Sequence, residues 1–123
     1  RVYALGYVRV RVKVRNPHER EGEREVELLA ATGAIYSIIP GKVLEDLKIE
    51  RRTLRSMKLA DGRIIQRHLG IVEVEVKGEV AHSMVVFGQE DDAAVLGVTA
   101  LEELGLQVDP LTGELKSMEL LLF

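Results

Sequence analysis

Alternation of apolar and basic residues is the clearest pattern in the first third of the chain. Valines occupy every second position from Val8 to Val14, and the positions between and after them hold Arg9, Arg11, Lys13 and Arg15. A period of two places successive side chains on opposite faces, so this segment is predicted to be a half-buried β-strand. Residues 16–22 include proline and glycine and predict a turn, after which the alternation resumes at Val26. We therefore expect a hairpin whose second strand presents glutamates to the basic residues of the first.

Two more hairpins are predicted farther along the chain. Residues 54–67 contain two strand-like runs on either side of an Asp61-Gly62 pair, which is a strong hairpin signal. Residues 71–87 contain two apolar runs joined by a Lys77-Gly78 turn. Residues 115–123 are predicted to form a final apolar strand, whose edge would favour aggregation unless it is paired.

Short helices are expected at two places between these strands. Pro40 stops strand pairing and suits the first turn of a helix that reaches Leu47. A second helix follows Gly97, and Gly105 is placed to cap its C-terminal end. We expect Gly97 to let two backbone segments cross closely, because it has no Cβ. The pattern as a whole predicts an all-β fold with one or two short helices.

The composition fits a single domain over residues 1–123 and selects no partner by charge. Hydrophobic residues make up 46% of the chain but aromatic residues only 4%, so aliphatic side chains must fill the core. The charged residues nearly cancel to a net charge of −3, which gives no overall attraction to nucleic acid or to an anionic membrane. No apolar run approaches the roughly 20 residues that span a bilayer. We therefore expect a soluble protein with neither a membrane nor a nucleic-acid partner.

Cysteine and histidine usage narrows the chemistry further. The chain has no cysteine, which excludes disulfides, a thiolate nucleophile and Cys-ligated zinc, and which fits a cytoplasmic location. The three histidines, at positions 18, 68 and 82, show no recognised metal-ligand spacing. We expect no metal, no cofactor and a cytoplasmic protein.

Residues 28–40 form a hydrophobic run that is interrupted once, by Thr32 and Gly33. A strand ending at Ala30 would deliver a tight turn here, in which Gly33 permits a backbone approach that a Cβ would block. The hydroxyl of Thr32 is available for bracing, so the loop would hold the side chain of residue 31 in a fixed place. Two carboxylates facing each other from such loops at about 3 Å would share one proton and act as an acid and a base. Residue 31 is an alanine, whose methyl group has no such chemistry.

With Asp at position 31, the segment from Leu28 to Ala34 would closely resemble the active-site loop of the retropepsin-like aspartic proteases. A later apolar strand that ends in Leu96-Gly97 and leads into a short leucine-containing helix is a second point of similarity. The resemblance covers most of the chain from Val26 to Pro110, with these features in the family's order. It implies a closed acid-protease barrel in a two-fold homodimer, because one chain carries only one such loop.

The resemblance also assigns roles to individual positions. Ala31 stands at the position of the catalytic aspartate, and Thr32 and Gly33 complete the catalytic loop. Residues that would contact a peptide or unfolded-protein substrate are Ala34 in the loop and, at the tip of a mobile flap, Ala60, Asp61, Gly62 and Arg63. An aspartic endopeptidase with alanine at position 31 loses both carboxylates of its dimer at once, so this form is predicted to be inactive.

The sequence leaves other functions open. Ala31 is compatible with a catalytic mutant of a protease and with a natural, non-catalytic peptide-binding module on the same dimeric fold. A third reading is a small β-barrel that binds nucleic acid through the basic face of the first strand. That reading is weaker, because no aromatic residues accompany the basic ones for base stacking.

Overall fold

A computed structural model describes residues 7–19, 22–120 and 122 of the chain. The structure is mostly β, as the sequence predicts. Its helices are α1 (Gly41–Asp46) and α2 (Val98–Leu104). Its strands are β1 (Tyr7–Arg15), β2 (Glu23–Ala31), β3 (Ser37–Pro40), β4 (Leu54–Lys58), β5 (Ile64–Val76), β6 (Glu79–Gly88), β7 (Val95–Leu96), β8 (Leu106–Val108) and β9 (Leu115–Ser117).

The predicted β1–β2 hairpin is confirmed. The two strands are antiparallel, with Tyr7 opposite Ala31 at one end and Arg15 opposite Glu23 at the other. The valines of β1 face the interior, and the basic residues between them meet glutamates of β2 on the outer face. Residues 20 and 21 of the predicted turn lie outside the described part of the chain.

The main sheet has the strand order β1-β2-β7-β3-β6-β5-β4, and β1 also pairs with β5. The short strand β7 lies parallel to β2 and antiparallel to β3, while β3 is parallel to β6. These pairings bring the C-terminal part of the chain between β2 and β3, the two strands on either side of the 32–36 loop. A second sheet consists of β8 and β9 alone.

The core is aliphatic apart from one phenylalanine, as the composition predicts. Its fully buried members come from strands across the sheet and from α1, and the largest of them are Phe87, Leu28, Ile39, Leu44, Leu69, Leu96, Val12, Val14, Val72, Val74 and Val85. Residues of α2 close the core from another side, with Leu101 and Leu104 buried.

Both later hairpins are present, and they share a single long strand. The β4–β5 turn contains Gly62 at φ 92°, and the β5–β6 turn contains Lys77 at φ 53° and Gly78 at φ 82°. The strand β5 runs unbroken through Gly70, where a Cβ would lie 2.8 Å from side-chain atoms of both Ile49 and Phe87. The absence of a side chain at Gly70 therefore lets the core pack against the middle of β5.

The two helices lie where the sequence predicts them, but the expectation that Pro40 stops strand pairing is wrong. Pro40 is the last residue of β3 and lies opposite Gly88, and α1 ends at Asp46, one residue before the expected Leu47. Helix α1 starts directly after Pro40, and α2 ends at Gly105, whose φ of 72° is the left-handed conformation of a C-cap. Asp109 accepts a hydrogen bond from the amide of Leu111 at 2.9 Å, so this carboxylate stabilises a turn.

The predicted final strand is shorter than expected. Strand β9 ends at Ser117 because its partner β8 offers only three residues for pairing. Residues 118–120 have no strand conformation, and Leu120 is 67% exposed. The predicted strand over residues 115–123 is therefore wrong at residues 118–120, and its positions 121 and 123 lie outside the described residues.

Candidate functional site

Residue 31 is held at the point where β2 leaves the sheet. Ala31 is the last residue of β2 and is only 5% exposed. It pairs with Tyr7 of β1 on one side, and its neighbour Ala30 pairs with Leu96 of β7 on the other side. The amide of Leu29 also donates to the carbonyl of Ala94 at 3.1 Å. The backbone before the turn is therefore fixed from both sides.

Thr32 and Gly33 form the predicted tight turn. The amide of Ala34 donates to the carbonyl of Ala31 at 3.1 Å and closes the turn, while Thr32 and Gly33 themselves are exposed. The sequence predicts that Gly33 permits a close approach of another backbone segment, and within a single chain this prediction is wrong. Among the described residues, a Cβ at this position would meet nothing within 4 Å, and Gly33 is not among the residues with positive φ.

The segment after the turn is anchored to the start of α2. The amide of Val98 donates to the carbonyl of Ala34 at 2.7 Å, and the amide of Thr99 donates to the carbonyl of Ile35 at 3.1 Å. The amide of Gly97 donates to Oγ of Ser37 at 2.9 Å, and Ser37 is 1% exposed. Three hydrogen bonds therefore fix the 34–37 segment relative to α2.

Gly97 makes this anchoring possible, as the sequence predicts. A Cβ on Gly97 would lie 2.5 Å from the carbonyl carbon of Tyr36 and 2.8 Å from the carbonyl oxygen of Ile35. Real Cβ atoms do not approach backbone atoms so closely. Glycine is therefore required where the loop crosses the start of the helix.

The predicted flap residues form a hairpin turn at Ala60–Arg63. The amide of Leu59 donates to the carbonyl of Arg63 at 2.8 Å, and the amide of Arg63 donates to Oδ1 of Asp61 at 3.0 Å. Asp61 also accepts a hydrogen bond from the guanidinium of Arg63. The bond from the Arg63 amide is the main reason that the pKa of Asp61 is lowered, and the bond from the guanidinium is the second. Asp61 is thus a turn-stabilising carboxylate, and the covering of a substrate by this hairpin stays a prediction.

Two contacts hold the base of this hairpin near the loop and the 89–92 segment. The guanidinium of Arg55 donates to the hydroxyl of Tyr36 at 2.8 Å. Arg67, directly opposite Arg55 in the hairpin, makes a two-pronged ion pair with Asp92 at 2.7 and 3.0 Å. The hydrogen bond from Arg67 is the main reason that the pKa of Asp92 is lowered. The hairpin is therefore attached at its base, while the residues of its turn, Ala60–Arg63, are exposed.

A groove of about 510 Å³ lies between the hairpin and the 89–92 segment. Its lining includes Arg63 but none of residues 31–34. The structure therefore does not bring the predicted catalytic loop and the predicted flap tip together in this groove. The contact that joins the two elements is the one between Tyr36 and Arg55.

The loop of a single chain has no acid or base at its turn. Residues 31–36 contain no carboxylate, and a methyl group occupies position 31. Four described carboxylates have a pKa that hydrogen bonds displace downward, and they are Asp61, Glu75, Asp92 and Asp109. A lowered pKa keeps a carboxylate ionised, so none of these four is prepared to donate a proton near neutral pH.

Metal binding and membrane insertion find no support in the described part of the chain. No three of its histidine, aspartate or glutamate side chains come together in an arrangement that could hold a metal ion. None of the helices in residues 7–19, 22–120 and 122 is long and apolar enough to cross a bilayer.

Sequence reasoning missed the residues that position the loop from a distance. Ser37 carried a weak signal, because it is a polar residue in a strand that is otherwise apolar. Tyr36, Arg55, Arg67 and Asp92 carried no signal, since their contacts join residues that lie between 19 and 25 positions apart.

Comparison with known proteins identifies the family. The family model described as "gag-polyprotein putative aspartyl protease" matches residues 20–103, which is more than half of the chain. No curated protein matches the sequence significantly. The matched segment contains the loop at residues 31–36, the 54–68 hairpin, Gly97 and nearly all of α2. The chain therefore belongs to the gag-polyprotein aspartyl protease family.

Proposed function

We propose that this chain has the scaffold of a retropepsin-like aspartic endopeptidase and that the Ala31 form is inactive. In the proposal, two copies associate about a two-fold axis, and each contributes one closed barrel and one 31–34 loop. The observation that carries the proposal is the fixed position of Ala31 at the end of β2, within a chain that matches an aspartyl protease family over residues 20–103. The pairing of β1 with both β2 and β5 supports a closed barrel.

The open space beside Gly33 supports a second copy at this loop. A Cβ on Gly33 would touch none of the described residues of its own chain, although the turn lies directly after the buried end of β2. A partner loop facing this turn would explain a glycine there, because two backbones can approach only where side chains are absent. Thr32, exposed in one chain, would then have its bracing partner in the other copy.

Catalysis in this scaffold requires a carboxylate at position 31 of each copy. Two such groups at about 3 Å would share one proton, since both cannot be ionised. The ionised one would take a proton from the attacking water, and the protonated one would give its proton to the oxygen of the scissile carbonyl. With methyl groups at both positions, the water has no base and the carbonyl oxygen has no acid.

Ala34 has a predicted effect on the pH dependence of an active form. A serine at this position would donate a hydrogen bond to the ionised carboxylate and lower its pKa. Ala34 cannot donate such a bond, so an active variant should work best at a less acidic pH than pepsin-like enzymes. A pH-rate profile with its maximum as low as theirs would refute this expectation.

The alternative is a natural, non-catalytic module that binds extended peptides in the same dimeric cleft. The observation that favours it is the intact framework around a methyl group. The anchors of the loop at Ser37, Gly97 and Val98 are all present although no carboxylate needs to be positioned. Such a module would read a peptide through main-chain hydrogen bonds and side-chain pockets.

The deciding experiment compares Ala31→Asp with Ala31→Asn, which has nearly the same size but no charge. Each protein is incubated with an unfolded protein over a range of pH, and its oligomeric state is measured by sedimentation velocity. Fragments that appear only with Ala31→Asp support the protease proposal. A folded, dimeric and inert Ala31→Asp protein favours the binding module, and monomers in all three proteins would overturn both proposals.

A further inference from the structure

On the outer face of β1, the positive charge of Arg15 is balanced by carboxylates from the neighbouring strands on both sides. Its guanidinium contacts Glu23 of β2 at 2.7 Å and, on β5, Glu73 at 2.8 Å and Glu75 at 2.6 Å. The Arg15 side chain is only 11% exposed as a result. Carboxylates from both flanking strands therefore surround this cation.

Lys13, the next outward residue along β1, follows the same pattern. It lies directly opposite Glu25 of β2 and directly opposite Glu75 of β5. Cross-strand pairs of opposite charge stabilise a sheet modestly. The closed part of β1 thus places each basic residue between two acidic ones.

The pattern is incomplete at the other half of β1. Arg9 contacts Glu27 at 3.2 Å and Arg11 contacts Glu25 at 3.4 Å, and both glutamates belong to β2. Strand β5 pairs with β1 only from Lys13 to Arg15, so no described strand supplies carboxylates on the second side of Arg9 and Arg11. Their side chains remain 73% and 71% exposed.

A groove of about 510 Å³ runs along this open side of β1. It has apolar and basic parts, which matches the alternation of the strand itself. Its lining consists of the apolar residues Val8, Val10, Val76 and Leu115 and the charged residues Arg9, Arg11, Lys77 and Glu114. Three of the four charged residues are basic, so an occupant of this groove should be acidic.

We propose that this groove binds an extended segment of a partner protein in which acidic residues alternate with apolar residues. The segment would add a strand to the open side of β1 and continue the position of β5. Its acidic residues would lie beside Arg9 and Arg11, as Glu75 lies beside Lys13. Its apolar residues would point the other way, toward Val8 and Val10, because side chains alternate along a strand.

A second copy of β1 fits this groove less well. Two identical edges would bring arginines opposite arginines, and like charges across a strand pair are destabilising. Nucleic acid is also less suitable, because the groove lining alternates apolar with charged side chains and contains no aromatic residue on which a base could stack. The inference does not depend on the proposed function, since β1 precedes the family match at residues 20–103.

The probe for this inference is a fluorescein-labelled ten-residue peptide of alternating glutamate and valine, whose binding is followed by fluorescence anisotropy. A matched peptide of alternating lysine and valine should bind at least tenfold more weakly. A peptide with prolines in place of alternate valines should also bind at least tenfold more weakly, because it lacks backbone donors for the added strand. The inference would be overturned if either control peptide bound as tightly as the acidic peptide. It would also be overturned if the acidic peptide did not bind at about 1 mM, which is the dissociation constant of a weak complex.

Paired variants identify the binding surface. Arg9→Gln combined with Arg11→Gln should weaken binding of the acidic peptide about tenfold. The control combines Lys42→Gln with Lys58→Gln, which makes the same change in net charge at exposed positions on α1 and β4 and should leave binding unchanged. Equal losses in the two double variants would show a non-specific charge effect and overturn the inference.

Two further measurements keep the test decisive. If the arginine variant fails to fold, amide chemical shifts of the unsubstituted protein decide: changes at residues 8–12 support the inference, and changes confined to other residues overturn it. Displacement of the peptide by a short single-stranded oligonucleotide at lower concentration than by unlabelled peptide would assign the surface to nucleic acid instead. The failure of the peptide tests would leave the protease and cleft-binding proposals unaffected, since those concern position 31.

Discussion

Replacing Gly97 with alanine tests whether the close crossing of loop and helix holds the candidate site in place. The new Cβ would lie 2.5 Å from the carbonyl carbon of Tyr36, 2.6 Å from its oxygen and 2.8 Å from the carbonyl oxygen of Ile35. Carbon atoms in favourable contact are about 3.5 Å apart or more. All three neighbours are backbone atoms, so no side-chain rotation relieves the overlap. The loop and α2 must therefore separate by roughly 1 Å.

The cost follows from the hydrogen bonds that this separation breaks. The amides of Gly97, Val98 and Thr99 donate to the loop over 2.9, 2.7 and 3.1 Å, and a shift of about 1 Å takes each beyond bonding distance. At about 1 kcal/mol for each bond, Gly97→Ala should lower the free energy of unfolding by about 3 kcal/mol. For a chain of 123 residues this corresponds to a fall in melting temperature of about 12 °C.

The assay is thermal unfolding followed by circular dichroism, at a protein concentration where sedimentation shows monomers. Gly33→Ala is the matched control, because a Cβ at Gly33 meets nothing within 4 Å in the part of the chain that the structure describes. It should leave the melting temperature nearly unchanged. Amide hydrogen exchange at Val98 and Thr99 should become faster in Gly97→Ala only. A Gly97→Ala protein that melts within about 2 °C of the parent would refute the argument that this crossing is tight.

Four further substitutions test three other parts of the structure. The hydroxyl of Ser83 is buried without a hydrogen-bond partner among the described residues, so Ser83→Ala should raise the free energy of unfolding by about 1 kcal/mol, and a lower urea midpoint would contradict this. Arg15→Gln should destabilise the protein at pH 7, because it removes the shared partner of three carboxylates. Arg15 lowers the pKa of Glu75, so the stabilisation from this ion pair is present above the ordinary glutamate pKa and is lost as the pH falls through the lower pKa of the folded state. Urea titrations should therefore show that the difference in free energy of unfolding between the parent and Arg15→Gln narrows on acidification. A difference that stays constant with pH would count against the ion pair. Arg67→Gln and Asp92→Asn should each lower the free energy of unfolding by about 2 kcal/mol, and the double variant should lower it by less than the sum of the two. A double-mutant cycle in which the two losses are additive would show that the pair is not coupled.

Local patterns predicted most of the strands and turns correctly. The alternation around Val8–Val14 and the Asp61-Gly62 and Lys77-Gly78 turns depend on neighbouring residues, so the sequence contains the information directly. The C-cap at Gly105 and the turn at Asp109 are equally local. The final strand was overestimated because its length depends on the partner strand, and apolar residues alone do not supply one.

The candidate loop shows the same division between local and distant information. The Thr32-Gly33 break predicted a tight turn at the end of a strand, and the resemblance around it agrees with the family match. The reason for Gly33 was wrong within one chain, because a close approach requires a neighbour that the loop itself does not contain. The close backbone crossing at Gly97 was predicted correctly. The sequence did not predict that the crossing segment is the backbone of residues 35 and 36.

The sequence by itself determined which segments extend, turn or coil and which face of each is apolar, because these properties arise from neighbouring side chains and backbone torsions. Only the tertiary structure decided that β7 inserts between β2 and β3, that Ser37 accepts a hydrogen bond from the amide of Gly97, and that β5 pairs with only part of β1. These features join residues that are distant along the chain, and they depend on how the whole core packs. The periodicity of a segment does not specify its neighbour.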